Sequence, residues 1–151
     1  MVGLEGYTDY YREKFEEGME YQDFAMEVLL EKMGIPISCY SSKKYQHSKG
    51  ENKQGIEIKN DLKYAETGNL FIETAEKTKA ENANFIKSGI YRDDNSWLYL
   101  IGDYKTIFIF GIETLKGIHK TKKCKEVEIP TSQGFLLGLN HQKYALKKIE
   151  I

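Results

Sequence analysis

The sequence predicts an α/β domain, and three observations carry that expectation. Apolar residues of the first quarter fall at helical spacing. The middle alternates apolar and charged residues with the period of two of a strand. The later part holds short apolar runs separated by turn residues. Residues 1–151 read as a single domain. There is no Pro- or Ser-rich linker and no repeat, and Pro36 and Pro130 are the two prolines. Hydrophobic residues make up 40% of the chain, enough for a core without disulfide staples.

In the first quarter, Thr8 to Glu17 reads as a short amphiphilic helix with Tyr10, Tyr11 and Phe15 as its apolar residues, and Gly18 interrupts it. Tyr21 to Met33 is a stronger helix. Phe24, Val28 and Leu29 share a face, Met33 follows, and Gly34 stands at the stop position. Glu20, Glu27 and Glu31 form a stripe at the edge of that face. Ile35 to Tyr40 is a candidate short strand. Ser41 to Gln54 has no apolar period and carries Lys43, Lys44, His47, Lys49 and Lys53, so it reads as a mobile, positively charged loop.

From Gly55 to Asp61 the alternation is strict. Ile56 and Ile58 point one way, and Glu57, Lys59 and Asp61 the other. Leu62 to Gly68 is a loop. Asn69 to Glu76 is a second strand, with Leu70 and Ile72 on one face and Phe71, Glu73 and Ala75 on the other. A hairpin of these two strands matches both apolar faces. Thr78 to Lys87 is a polar loop. Ser96 to Ile101 and Lys105 to Phe110 form a second hairpin turning at Gly102-Asp103, with Trp97 and Phe108 in the core and Asp103 in the turn. Glu113 to Lys120 is a helix with Leu115 and Ile118 inward. Val127 to Ile129 and Phe135 to Leu139 are late strands, and His141 to Ile151 is helix or strand.

Net charge bounds the function. Lys plus Arg is 22 and Asp plus Glu is 23, which excludes a wholly basic DNA-coating protein and an acidic tail. No apolar run reaches the roughly 18 residues of a membrane span, and the first residues lack a secretory layout. Cys39 and Cys124 show no metal-like spacing. The expectation is a reducing, cytoplasmic setting.

The first hairpin carries the chemistry. Parity places Glu57, Asp61 and Glu73 on one face, where opposed Cβ atoms lie only about 4.5–5.5 Å apart. Like charges that close need compensation. Lys59 and Lys77 supply part of it, and a divalent cation bound by one or two carboxylates supplies the rest. The plain alternative is a solvated strand face, since any half-exposed strand alternates in this way.

The run Gly55-Ile56-Glu57-Ile58-Lys59-Asn60-Asp61, followed by Gly68-Asn69-Leu70-Phe71-Ile72-Glu73, resembles the PD-(D/E)XK nuclease superfamily, and within it the small endonuclease-like proteins of phages and bacteria. The likeness spans Tyr21 to Phe110 and is sharpest from Gly55 to Glu73. It implies a restriction-endonuclease-like fold, a central mixed sheet flanked by helices, together with Mg²⁺ (or Mn²⁺) dependence and hydrolysis of DNA phosphodiesters. Carried over by position, the strand-two acid is Asp61, with Glu57 competing, and the strand-three acid is Glu73. The helix glutamate is Glu27, with Glu20 behind it. No proline precedes Asp61, and Ala75 stands where the motif has lysine, so Lys59 or Lys77 takes that role or the site is inactive. A second register reads Glu57-Ile58-Lys59 as the acid-x-lysine element, its other acid coming from Glu51 or Glu73. The first register is favoured.

Metal therefore falls to Asp61 and Glu73, with Glu57 or Glu27 completing the shell, and Lys59 or Lys77 stabilises charge. For nucleic acid, the candidates are Lys43, Lys44, Tyr45, Gln46 and Lys49 before the strand, and Lys122 and Lys123 in the basic run from Lys120 to Lys125. Tyr40 and Tyr45 flank the basic loop as stacking candidates. His47 has a weak case as a catalytic residue, and His119 and His141 have no assigned role. Many nucleases of this type pair into homodimers to cut two strands. The rival classes are an inactive nucleic-acid-binding module of the same fold and a structural or interaction domain.

Overall fold

The computed structural model describes residues 9–39, 46 and 49–151. In chain order the elements are α1 (Asp9–Met33), β1 (Ile56–Asn60), α2 (Tyr64–Thr67), β2 (Leu70–Glu76), β3 (Ile86–Lys87), a 3-10 turn (Gly89–Tyr91), β4 (Leu98–Gly102), β5 (Thr106–Gly111), α3 (Ile112–Lys120), β6 (Glu126–Ile129), β7 (Ser132–Leu137), α4 (Leu139–Gln142) and β8 (Lys147–Glu150).

Helix α1 runs unbroken through Gly18. An added Cβ there would meet nothing within 4 Å. The glycine costs the helix only about 1 kcal/mol, which packing elsewhere on α1 outweighs. Tyr21, Ala25, Val28 and Leu29 recur at helical spacing and are buried. Gly34, at φ 67°, ends the helix by donating its N–H to the Leu30 carbonyl at 3.0 Å.

The strands form two four-stranded sheets rather than one central sheet. The first has the order β1-β4-β5-β8 and is mixed. The second has the order β3-β2-β7-β6 and is antiparallel. β1 pairs parallel with β4, Glu57 opposite Tyr99 and Lys59 opposite Ile101, while β5 runs antiparallel between β4 and β8. Three layers result. The side chains of α1 pack with Ile56, Ile58, Leu100, Ile107 and Ile109 on one face of the first sheet. On its other face Tyr99, Ile101, Phe108 and Phe110 meet Leu70, Ile72, Phe135 and Leu137 of the second sheet, with Leu115 of α3 beside them.

The predicted hairpin of β1 and β2 is corrected here. The two strands belong to different sheets. Alternation assigns a face but not a partner. β4 is apolar on both faces, as suits an interior strand, and takes β1 as its neighbour. Asp61 donates its N–H to the Gly102 carbonyl at 2.6 Å. The single turn of α2, closed by Gly68 at φ 70°, then carries the chain into the second sheet.

The β4–β5 hairpin forms as expected, and Asp103 accepts the N–H groups of Lys105 and Thr106 in its turn. α3 buries Leu115 and Ile118 as expected. The C-terminal stretch is both helix and strand, α4 then β8. Trp97 is not core. It is 63% exposed, because its indole lies over Gly55 and donates to the Gln54 carbonyl at 2.7 Å.

Phe110 has no exposed surface and stands between the two sheets. Phe110→Ala is expected to lower stability by about 3–5 kcal/mol, since the facing sheets cannot collapse onto the void. Urea unfolding of the variant checks this.

Candidate active site

β1 presents Glu57 and Lys59 on the face it shares with Tyr99 and Ile101, toward the second sheet. Glu57 has no exposed surface. The Lys59 Nζ lies 3.4 Å from Glu57 Oε1 and 3.5 Å from Glu73 Oε2, and its side chain keeps 30% exposure. Two acids from different sheets therefore converge on one ammonium. Among the described residues neither Glu57 oxygen has a hydrogen-bond partner.

Glu51 arrives on a short loop held by its neighbours. The Asn52 side chain pairs with the backbone of Ile56 in both directions, at 2.8 and 2.9 Å, and the Asn52 backbone carbonyl accepts the Asn95 side-chain amide. Gly50, at φ 102°, lies so close to the Asn95 side chain that a Cβ has no room. Glu51 Oε2 accepts the Ile58 N–H at 3.0 Å and the Gln22 amide at 3.4 Å. Gln22 is itself a buried residue of α1.

The second sheet contributes Glu73 and Glu76. β2 bulges at Thr74, so Glu73 stands opposite Gly134 and Glu76 opposite Ser132, two residues apart on β7. The bulge puts both glutamates on one side of the sheet and displaces Ala75 from it. Glu73 Oε1 accepts the Ser132 hydroxyl at 2.9 Å, and Glu76 accepts Arg92 Nη2 at 3.0 Å. Arg92 follows the 3-10 turn, whose Gly89, at φ 55°, lies against the Glu73 carbonyl.

The electrostatics are those of a partly desolvated acidic pocket. Burial, then the neighbouring Glu57, pushes the Glu51 carboxyl up to about 8. Burial likewise raises Glu57, against the pull of Lys59 and Arg92. Burial works against the Lys59 charge, but Glu73 and Glu57 overcome it and hold the ammonium well above the lysine range. A cavity of about 220 Å³ opens onto Glu51, Lys59, Asn60, Glu76 and Arg92, with Gln22 in its wall.

The structure thus brings together Glu57, Lys59 and Glu73, and adds Glu51 from the second register. Asp61 is engaged elsewhere. Its oxygens accept the N–H groups of Lys63 at 3.2 Å and Phe71 at 2.7 Å, which ties the end of β1 to the start of β2. Burial raises its carboxyl and the two backbone donors lower it. The Lys77 Nζ lies 4.3 Å from the centre of the Phe85 ring. Glu20 and Glu27 are exposed on α1, which sends Gln22 to the site in their place. Gln46 lines the cavity, and Lys49 is exposed. Lys122 and Lys123 are exposed after α3. Lys43, Lys44, Tyr45 and His47, with Tyr40, lie outside the described residues. His119 bridges Tyr91 and Glu126, at 2.6 and 2.7 Å.

Sequence reasoning missed Gln22 and Arg92. A glutamine reads as surface on a helix where glutamates were sought. For Arg92 a compositional signal existed, since the chain has two arginines, Arg12 and Arg92, among 22 basic residues.

Among the described residues, no group of three or more His, Cys, Asp or Glu side chains is arranged to hold a metal ion. Compared with protein-family models, curated proteins and solved structures, the chain matches none.

Burial makes Glu51 and Glu57 keep their protons to higher pH in the folded state than in the unfolded chain. Between the ordinary carboxylate range and about pH 8 the folded protein therefore binds more protons, and stability falls as pH rises through that window. Thermal unfolding of the metal-free protein is expected to show a melting temperature that declines from about pH 5 to about pH 8. Glu51→Gln keeps the shape without the charge. It should flatten the decline and raise the melting temperature at the upper end by a few degrees.

Proposed function

We propose that the chain is a metal-dependent nuclease whose acid-x-lysine element is Glu57-Ile58-Lys59, with Glu51 as the second acid. The observation that carries this reading is the Glu57 carboxylate. It is fully buried, without a hydrogen-bond partner among the described residues, beside the ammonium two residues along the same strand. A buried acid that lacks partners is costly to the fold, and such groups concentrate where chemistry uses them. The likeness to the PD-(D/E)XK nucleases supports the same reading. In this register the motif lysine is Lys59, and Ala75 leaves no gap.

The donor set fits a hard divalent cation. Mg²⁺ takes one or two protein carboxylates and keeps several waters, so Glu51 and Glu57 would suffice to hold it, while Glu73 is paired with Lys59 at 3.5 Å. When bound, such an ion lowers the pKa of water and polarises a phosphoryl oxygen. The protein's own part is electrostatic. Lys59 places a fixed positive charge where negative charge develops on a phosphodiester, and it orients an attacking water. Arg92, presented by its glycine turn, supplies planar donors to a phosphate oxygen. Gln22 and the Ile58 N–H hold the Glu51 carboxylate in place. DNA is the foremost substrate, and pairing of two copies to cut two strands belongs to the same proposal.

A binding module without hydrolysis is the second reading. One observation favours it: Lys59 already bridges Glu57 and Glu73, which balances part of the acidic charge without an ion.

Nicking of supercoiled DNA in Mg²⁺ or Mn²⁺ separates the readings. Glu57→Gln and Lys59→Ala are each expected to lower the rate by at least about 100-fold, the scale of losing one preorganised charge in an active site. Asp61→Asn, whose carboxylate binds the backbone of the β1–β2 connection and does not line the Glu51–Lys59 cavity, should keep turnover while lowering stability by about 1–2 kcal/mol. Undiminished cleavage by Glu57→Gln overturns the assignment. DNA binding without cleavage by the wild type establishes the module.

A further inference from the structure

Beside the acidic pocket runs a second, larger depression of about 650 Å³, between the β1–β2 connection and the outer side of the second sheet. The two are contiguous, since Lys14, Asn60 and Glu76 line both. Its floor is apolar: Phe71 and Leu136 from paired positions of β2 and β7, with Val127 and Ile129 from β6. Leu62 and Ile129 are exposed there at 49% and 44%, a large apolar surface to leave in water. Thr131 and Ser132 add hydroxyls at the β6–β7 turn.

The groove is lined by the carboxylates Glu17, Asp61, Glu73 and Glu76 and by the ammonium groups Lys14, Lys63 and Lys77. Each of its four carboxylates is already engaged. Glu17 pairs with Lys14 at 3.3 Å, Asp61 accepts two backbone N–H groups, Glu73 takes Lys59 and Ser132, and Glu76 takes Arg92. Lys63 stands near enough to Asp61 for its charge to favour that carboxylate. Among the described residues neither Lys63 nor Lys77 forms an ion pair, and Lys77 lies over Phe85. The groove thus offers an aromatic and aliphatic floor beside two ammonium groups that form no ion pair among the described residues. That combination is complementary to a ligand with flat apolar faces and a negatively charged backbone.

We propose that this groove binds unpaired nucleotides of a nucleic-acid strand, leading the strand into the cavity lined by Glu51 and Lys59, so that the substrate is single-stranded or carries an unpaired segment. The proposal rests on the nuclease reading for its direction of travel but not for its chemistry. Bases held in a duplex present no free faces to Phe71 and Leu136, whereas unpaired bases stack on them and place phosphates within reach of Lys63 and Lys77.

Fluorescence anisotropy of a short labelled oligothymidylate, and of the same strand in duplex with oligoadenylate, tests this without metal and without turnover. The wild type is expected to bind the single strand about tenfold more tightly than the duplex, the gain from stacking about one base. The double variant Lys63→Ala/Lys77→Ala changes exposed or rim side chains. It should bind the strand about tenfold less tightly and lower the slope of log affinity against log salt by about 1.4, two single-strand phosphate contacts. Phe71→Leu keeps an apolar residue but removes the ring, and should weaken the strand alone.

Equal affinity for strand and duplex, or strand binding unmoved by both variants, overturns the proposal. Tight strand binding with no cleavage under any metal keeps the groove and removes the nuclease reading. Duplex cleavage that ignores the groove variants does the reverse. Should vesicles of anionic phospholipid bind and the oligonucleotide fail to displace them, the groove is a lipid site and the proposal falls.

Discussion

The meeting of Lys59 with Glu57 and Glu73 is the constraint around which the rest of the molecule is arranged. An acid with no exposed surface is tolerated only where positive charge lies close. Lys59 provides it from the same strand, and is in turn held charged by a second acid from the opposite sheet. The pair therefore couples the two sheets electrostatically at the place where apolar packing between them gives way. Removing the lysine would leave two carboxylates facing each other across the layer boundary.

Several local features serve that meeting. The bulge at Thr74 turns Glu73 and Glu76 to one side of the second sheet. Gly89 allows the turn to press against the Glu73 backbone and deliver Arg92. Asn52 imitates a strand partner for Ile56, and so fixes the loop that carries Glu51. Helix α1 covers the other face of β1 with Tyr21, Ala25 and Val28 and sends Gln22 around the edge to Glu51. Each device trades regular backbone or surface polarity for the placement of one charged group, a pattern expected where a fold serves a site rather than stability alone.

Legibility in the sequence followed the range of the interactions. Elements governed by neighbours in the chain were readable. The β4–β5 hairpin with Asp103 in its turn, the inward Leu115 and Ile118 of α3, and the opposite faces of Ile56/Ile58 and Glu57/Lys59 all follow from local period and turn chemistry. The partner of β1 was not readable, because parity is satisfied equally by β2 or β4. Trp97 looked like core by its size, yet it closes over Gly55, a contact between loops that no local pattern announces. Asp61 shared the parity of Glu57 and Lys59 and so seemed part of the same acidic face. Its carboxylate instead serves the backbone of Lys63 and Phe71.

Composition and periodicity by themselves determined an α/β chain with near-zero net charge, no apolar run long enough to cross a membrane, and a charged face carrying Glu57, Lys59, Asp61 and Glu73, on which the sequence favoured Asp61 and Glu73 as the metal-holding acids. Those properties depend on residue type and on spacing within a few positions. The tertiary structure decided that β1 and β2 lie in separate sheets, that Glu51, Gln22 and Arg92 join the pocket, and that Glu27 and Asp61 do not. Such choices depend on which distant segments pack together, and the free energy that selects them, burial on both faces of the first sheet, is a property of the whole chain rather than of any one stretch.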